Sequence, residues 1–146
     1  MKTIRNNIFE TNSSSSHSIS IRYNPFIKDN SLVPYNGEIR IDTGEFGWEW
    51  KKYNDAYTKA SYFLTRFKHD ESMLEMLKEV ISKNCENCSI VLEIDDYQNG
   101  YIDHQSTNTL DDIISSDELE NFIFNKNCWL YLGNDNEYAP KGFYKD

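Results

Sequence analysis

Asp55-Ala56-Tyr57-Thr58-Lys59-Ala60-Ser61-Tyr62-Phe63-Leu64-Thr65-Arg66-Phe67 is the stretch where the pattern of the chain changes. Ala56, Ala60, Phe63, Leu64 and Phe67 recur at the spacing of one helix face, which predicts a helix from Asp55 onward. Immediately after it, Asp70 is placed to cap a second helix whose apolar stripe is Met73, Leu74, Leu77, Val80 and Ile81, so the two are expected to form an antiparallel pair.

Before this pair the apolar residues alternate with polar ones in short pieces. Thr3 to Phe9, the region of Ile19 and Ile21, and the region of Ile39 and Ile41 read as three strands. Thr11 to Ser16 and Asn24 to Gly37 read as loops, the second holding Pro25, Pro34 and Gly37. After the pair, Ile90, Leu92 and Ile94 predict a central strand that ends in a turn over Asp95 to Gly100, with a hairpin return through Tyr101-Ile102-Asp103. Thr109-x-x-Asp112 and Ser115-x-x-Glu118 resemble capping boxes and predict short helices near 110–114 and 117–125, the latter carrying Leu119, Phe122 and Ile123. Cys128-Trp129-Leu130-Tyr131-Leu132 is the last expected strand.

Strands, then a helix pair, then a strand, helix and strand is neither a regular βαβ alternation nor all-β. The expected fold is α+β: a mixed or antiparallel sheet with a helical pair and short C-terminal helices packed on it, in a single domain spanning 1–146.

A chain of 146 residues with 10 Tyr, 8 Phe and 3 Trp has the apolar bulk for a core, burying about 68–70% of its unfolded surface. It has no long apolar run, and its start, Met1 to Asn7, is polar, so the expected location is the cytoplasm of a bacterial cell, with no membrane contact. Three cysteines do not make a disulfide framework and are expected as free thiols. A net charge of −9 argues against direct nucleic-acid binding, which needs a basic face, and favours a basic protein as partner.

Four constellations carry chemistry. In Phe9 to Ser18, Glu10, Asn12, Ser13, Ser14, Ser15, Ser16 and His17 crowd hydroxyls, an amide, a carboxylate and an imidazole between two expected strands. His17, Ser15 and Glu10 are the catalytic candidates, as base, nucleophile and orienting acid. Asn12, Ser13, Ser14 and Ser16 are ligand contacts, with Arg5 as an anion clamp. The same residues also make an ordinary hydrophilic turn.

In Gly44 to Tyr53, Trp48 and Trp50 with Phe46 enter the first helix and either stack on a ligand, for which Trp48 is the candidate, or close one end of the core. Glu45 and Glu49 in that stretch carry little information. Cys85-x-x-Cys88, with Cys128 and His104, lacks the two-pair spacing of zinc sites, so neither a metal nor a cofactor is expected. Glu93, Asp95 and Asp103 are the carboxylates that a sheet end could gather for a cation, but solvated helix caps and turns account for most of the acidic residues of this half. Asp111, Asp112, Asp117 and Glu118 are the carboxylates expected to meet a basic partner.

Ile8 to Ser18, together with Gly44-Glu45-Phe46-Gly47-Trp48 and Lys59-Ala60-Ser61-Tyr62, resembles segments of small uncharacterised proteins from phages and prophages of low-GC bacteria. The resemblance covers roughly the first 65 residues and brings no catalytic residues with it. It implies a stand-alone protein that binds and redirects or inhibits host machinery, including nucleic-acid-handling defence proteins. The reading adopted is therefore a non-enzymatic acidic interaction protein that docks on a basic host protein. The alternative is a small enzyme or ligand-binding domain built on the 10–18 segment with His17, and a virion or assembly component is a third reading.

Overall fold

A computed structural model describes residues 2–6, 15–21, 26–47, 49–96, 101–102, 113, 115–134 and 139–144; for 2–6, 15–21, 101 and 134 the description is of the backbone. The fold is α+β. Its elements in order are β1 (Lys2–Asn6), β2 (Ser15–Ile21), β3 (Glu38–Asp42), β4 (Glu45–Phe46), β5 (Lys51–Tyr53), α1 (Ala56–Arg66), α2 (Glu71–Lys83), β6 (Ser89–Glu93), β7 (Tyr101–Ile102), α3 (Ser116–Phe124) and β8 (Trp129–Asn134).

The strands do not share one sheet. β1, β2, β8 and β5 form an antiparallel sheet in that order, while β3 pairs with β6 and β4 with β7, both in parallel. Three expectations are corrected by this. β6 is not a central strand: it belongs to a two-stranded sheet and its middle residues are only half-buried. Tyr101 and Ile102 do not return as a hairpin on β6; they pair with Glu45 and Phe46. The stretch from Gly44 to Tyr53 does not lead its rings into the helix but forms β4 and β5, because Phe46 turns inward to meet the Tyr62 ring edge-on at 5.1 Å.

Local chemistry explains the helices. Asp55 caps α1 by accepting from the Thr58 N–H at 2.9 Å, and Asp70 caps α2 by accepting from the Met73 N–H at 3.3 Å. Ser115 caps α3, accepting from the Glu118 N–H at 3.2 Å, and its hydroxyl also donates to the Glu118 carboxylate at 3.0 Å, a side-chain variant of the expected capping box. α3 buries Leu119, Phe122 and Ile123, as their spacing predicts. The helix expected near 110–114 falls outside the described residues except for Ile113, which is buried and not helical.

α1 differs from a surface helix in being covered nearly all round. Besides the expected apolar residues it buries Lys59, Ser61, Tyr62 and Thr65, and it packs against β3, β7, α2 and α3. Ile39 and Ile41 of β3, Leu77, Val80 and Ile81 of α2, and Leu130 and Leu132 of β8 complete the core. No helix among the described residues is long and apolar enough to cross a membrane.

The segment at 26–29 joins this core through hydrogen bonds. The Asp29 N–H donates to Phe124 O at 2.7 Å and the Lys126 N–H to Ile27 O at 2.8 Å. The buried Asp29 carboxylate then accepts from the N–H groups of Ala56 (2.7 Å) and Ser31 (2.9 Å), giving α1 a second cap from outside the helix. Burial works to raise its pKa, but the hydrogen bonds from Ser31 and Ala56 outweigh that and the net shift is downward. Its contribution is present above the unfolded carboxylate's pKa and is lost as pH falls through the lower folded value. Asp29→Ala is expected to cost about 1–3 kcal/mol in urea unfolding at neutral pH, the buried Ala56 N–H and the part-buried Ser31 N–H losing their acceptor. The difference from wild type should shrink on acidification.

Candidate functional site

The two parallel strands β3 and β6 end together. Their register sets Asp42 opposite Glu93, so both strands deliver a carboxylate to the same edge. Thr43 then locks the chain beyond: its N–H donates to Glu93 O at 3.0 Å, and its hydroxyl accepts from the Asp95 N–H at 2.9 Å. Two hydroxyls of α1 hold this end from beneath. Ser61 Oγ donates to Asp42 O at 2.5 Å, while Thr65 Oγ1 accepts from the Gly44 N–H at 3.0 Å and donates to Ser61 O at 2.7 Å. The result is a cleft of about 550 Å³ lined by Asp42, Thr43, Gly44, Glu93, Ile94 and Asp95. Carboxyl ends of parallel strands are where open sheets commonly take ligands.

Arg40 and Tyr57 bond the carboxylates at the edge of this cleft. The Arg40 guanidinium reaches Asp42 (Nε to Oδ1, 3.4 Å) and bonds Glu93 through Nη2. Tyr57 donates its hydroxyl to Asp42 Oδ2 at 3.1 Å. Burial, and then the Asp42 charge, hold the Tyr57 phenol above its ordinary pKa, so it stays a donor at neutral pH. These ion pairs are half-exposed and add little stability, about 0–1 kcal/mol each.

On their other side, Arg40 and Tyr57 line a largely apolar groove of about 480 Å³ with Leu32, Val33, Tyr35 and Ile39, and with Ser31 and Glu38 as its polar members. Val33 is 67% exposed and Tyr35 81%, which for a large aromatic ring next to a concave apolar surface is a mark of interaction sites. An acidic cleft and an apolar groove thus adjoin across the same two side chains.

The residues expected to act fall differently. Glu10, Asn12, Ser13, Ser14, Trp48, His104, Asp103, Asp111 and Asp112 lie outside the described residues. Ser15, Ser16 and His17 are not in a loop: they belong to β2, where they pair with Asn134, Gly133 and Leu132, while His17 also faces Asn6 across β1 and Arg5 faces Ser18. His17 and Ser18 are paired on both sides, and Ser15 and Ser16 on the β8 side, so the segment from Ser15 to Ser18 is strand rather than the anion-cradling loop expected here.

Asp117 and Glu118 are exposed in the first turn of α3, where their charge complements the helix dipole. Glu93 and Asp95 do gather at a sheet end, with Asp42 as the companion that sequence reasoning missed. Among the described residues no three His, Cys, Asp or Glu are placed to hold a metal ion.

Trp50 packs its ring against Gly133 and meets Phe143 edge-on at 5.1 Å, closing an end of the core. Its Nε1 is buried without a hydrogen-bond partner among the described residues.

A further correction concerns the cysteines. Cys85 and Cys88 are not free thiols: they are joined as a disulfide, their Cα atoms 6.2 Å apart across the turn after α2. Cys128 alone is free, and it is buried. Lys59 is fully buried, donating from Nζ to the carbonyls of Asn125 and Cys128 at 2.9 Å each. Burial pulls its pKa down to about 8, against the opposing influence of Cys128, Asp29 and Asp55. The signal for it was its position three residues after Ala56 and four before Phe63, inside the apolar stripe.

Fold and surface together define an acidic α+β protein with a carboxylate-lined cleft beside an apolar groove. Comparison with models of protein families, with curated proteins and with solved structures gives no match.

Proposed function

We propose that this is a non-enzymatic interaction protein that docks on a basic partner protein, seating a cationic side chain in the Asp42, Glu93 and Asp95 cleft and an apolar side chain in the groove beside it. The observation that carries this reading is the contiguity of the two surfaces through Arg40 and Tyr57, both of which line the groove and bond Asp42. An apolar anchor next to a charged contact is how interfaces concentrate their binding energy. The net charge of −9 supplies the long-range attraction, and Asp117 and Glu118 add to the same field. The resemblance to phage and prophage proteins makes a nucleic-acid-handling or defence protein of the host the first class of partner to try. The alternative centred on His17 asks for a pocket at β2, and the cleft and groove described above lie elsewhere.

The test is capture of basic proteins from a bacterial lysate on the immobilised chain, followed by titration of the purified partner. Binding should weaken steadily with added salt. Tyr35→Ala should lower affinity about 30-fold or more, as hot-spot removal does, and Asp95→Lys at least about tenfold, as expected for a like-charge contact. Reversal of Asp117 and Glu118 should affect mainly the association rate. A partner that binds both cleft and groove variants as tightly as wild type would remove the support for this reading.

A further inference from the structure

We propose that Cys85 and Cys88 form a reversible redox couple, open to exchange with small-molecule thiols and disulfides. The pair sits in the turn between α2 and β6, both residues are partly exposed, and their Cα atoms are 6.2 Å apart, within reach of a disulfide. Asn87, between them, takes a left-handed backbone conformation with φ of 57°, a turn that brings the flanking cysteines round toward one another.

The turn is also held independently of the sulfurs. The Cys85 N–H donates to Ser82 O at 3.2 Å, and the Ser89 N–H to Gly37 O at 2.8 Å. Asn84 Nδ2 donates to Val80 O at 2.8 Å and to Glu120 Oε2 at 2.9 Å. Breaking the S–S bond therefore leaves the helix end and the strand start in place. Cys85 O lies 3.4 Å from Cys88 Sγ, ready to accept from the thiol once it is reduced. A disulfide closing so short a loop constrains the unfolded chain least, so neither state carries the fold.

The chemistry balances as thiol–disulfide exchange. A thiolate of a small thiol attacks one sulfur of the pair, forming a mixed disulfide and releasing the other cysteine as thiolate. A second small thiolate attacks the mixed disulfide, freeing the first cysteine and leaving the small molecule as its own disulfide. Two thiols are oxidised as the protein disulfide is reduced, and oxidation by a small disulfide runs the same steps backward. Cys128 takes no part, since it is buried and its thiol is pushed up to about 11.

The experiment is equilibration of the folded full chain in glutathione buffers running from fully reduced to fully oxidised, followed by alkylation and mass spectrometry. Cys85 and Cys88 should pass together from both alkylated to neither, returning when the buffer is reversed, while Cys128 reacts only in denaturant. Cys85→Ser and Cys88→Ser should each leave a single glutathione adduct on the remaining cysteine; should neither variant fold, the wild-type titration decides alone. A pair that stays closed, or stays open, at every ratio overturns the proposal, as does accumulation of glutathione adducts on the wild type without closure.

Discussion

Lys59→Ala is expected to destabilise the fold by about 3–5 kcal/mol in urea unfolding, the sum of a cavity and two stranded acceptors. Domains of this kind are typically stable by about 5–15 kcal/mol, so the variant loses about a fifth or more of the margin. The carbonyls of Asn125 and Cys128 are the acceptors left behind. Lys59→Met keeps the apolar stem against Phe122, over whose ring Nζ lies at 5.8 Å, and also removes a buried charge. Its cost should be smaller, about 1–3 kcal/mol.

A pH series separates the charge from the hydrogen bonds. The folded pKa of Lys59, about 8, lies below the unfolded value of 10.5, so between the two the unfolded chain binds more protons and stability rises with pH. From pH 8 to pH 9 the gain is about 1 kcal/mol. Above that the buried Cys128 thiol, raised from 9.0 to about 11, opposes the trend, because the unfolded chain ionises there first; Tyr62, also raised by burial, adds to this. Wild type should therefore stabilise from pH 8 to pH 9 and then level off, and Lys59→Met should lack the rise. A rise of equal size in the variant would show that Lys59 does not titrate in this window.

Gly133→Ala carries the second large effect. A Cβ at this position of β8 falls 2.3 Å from Cζ3 of the Trp50 indole, far inside contact distance, and the ring is braced by Phe143. A rigid ring cannot bend away as an aliphatic tip would, so it or the strand must shift, at a cost of about 1–3 kcal/mol. Tryptophan fluorescence should change with it. In the Trp50→Ala background the same glycine substitution should be nearly harmless, and the coupling in the double-mutant cycle measures the clash. Equal costs in both backgrounds would place the strain elsewhere.

These two positions also show where sequence reading stopped. The helices were legible because their determinants are local: a capping side chain at Asp55, Asp70 or Ser115 acts on an N–H three residues away, and the apolar stripes follow within the next turns. Strand pairing was not legible. β3 finds β6, and β4 finds β7, across intervening helices, and alternation alone says nothing of partner or direction. Asp42's part in the cleft went unseen for the same reason, since it meets Glu93 only through that parallel register. Lys59 was hidden by its type: a lysine is ordinarily assigned to solvent, although its place among Ala56, Ala60 and Phe63 put it on the inner face. The turn chemistry of Ser15 and Ser16 misled, because serine runs favour loops until a neighbouring strand claims the backbone.

The strand order β1, β2, β8, β5 also has a bearing on synthesis. The early hairpin and β5 leave the ribosome long before the segment that joins them, Trp129–Asn134. At roughly 5–20 residues per second, β2 waits several seconds with one edge open, and β5 waits without its partner strand. In that interval the nascent chain is at its most vulnerable to wrong pairing. A chain ending before Trp129 would leave β2 and β5 without the strand that both pair with, so termination ahead of β8 should yield aggregated rather than merely shortened product.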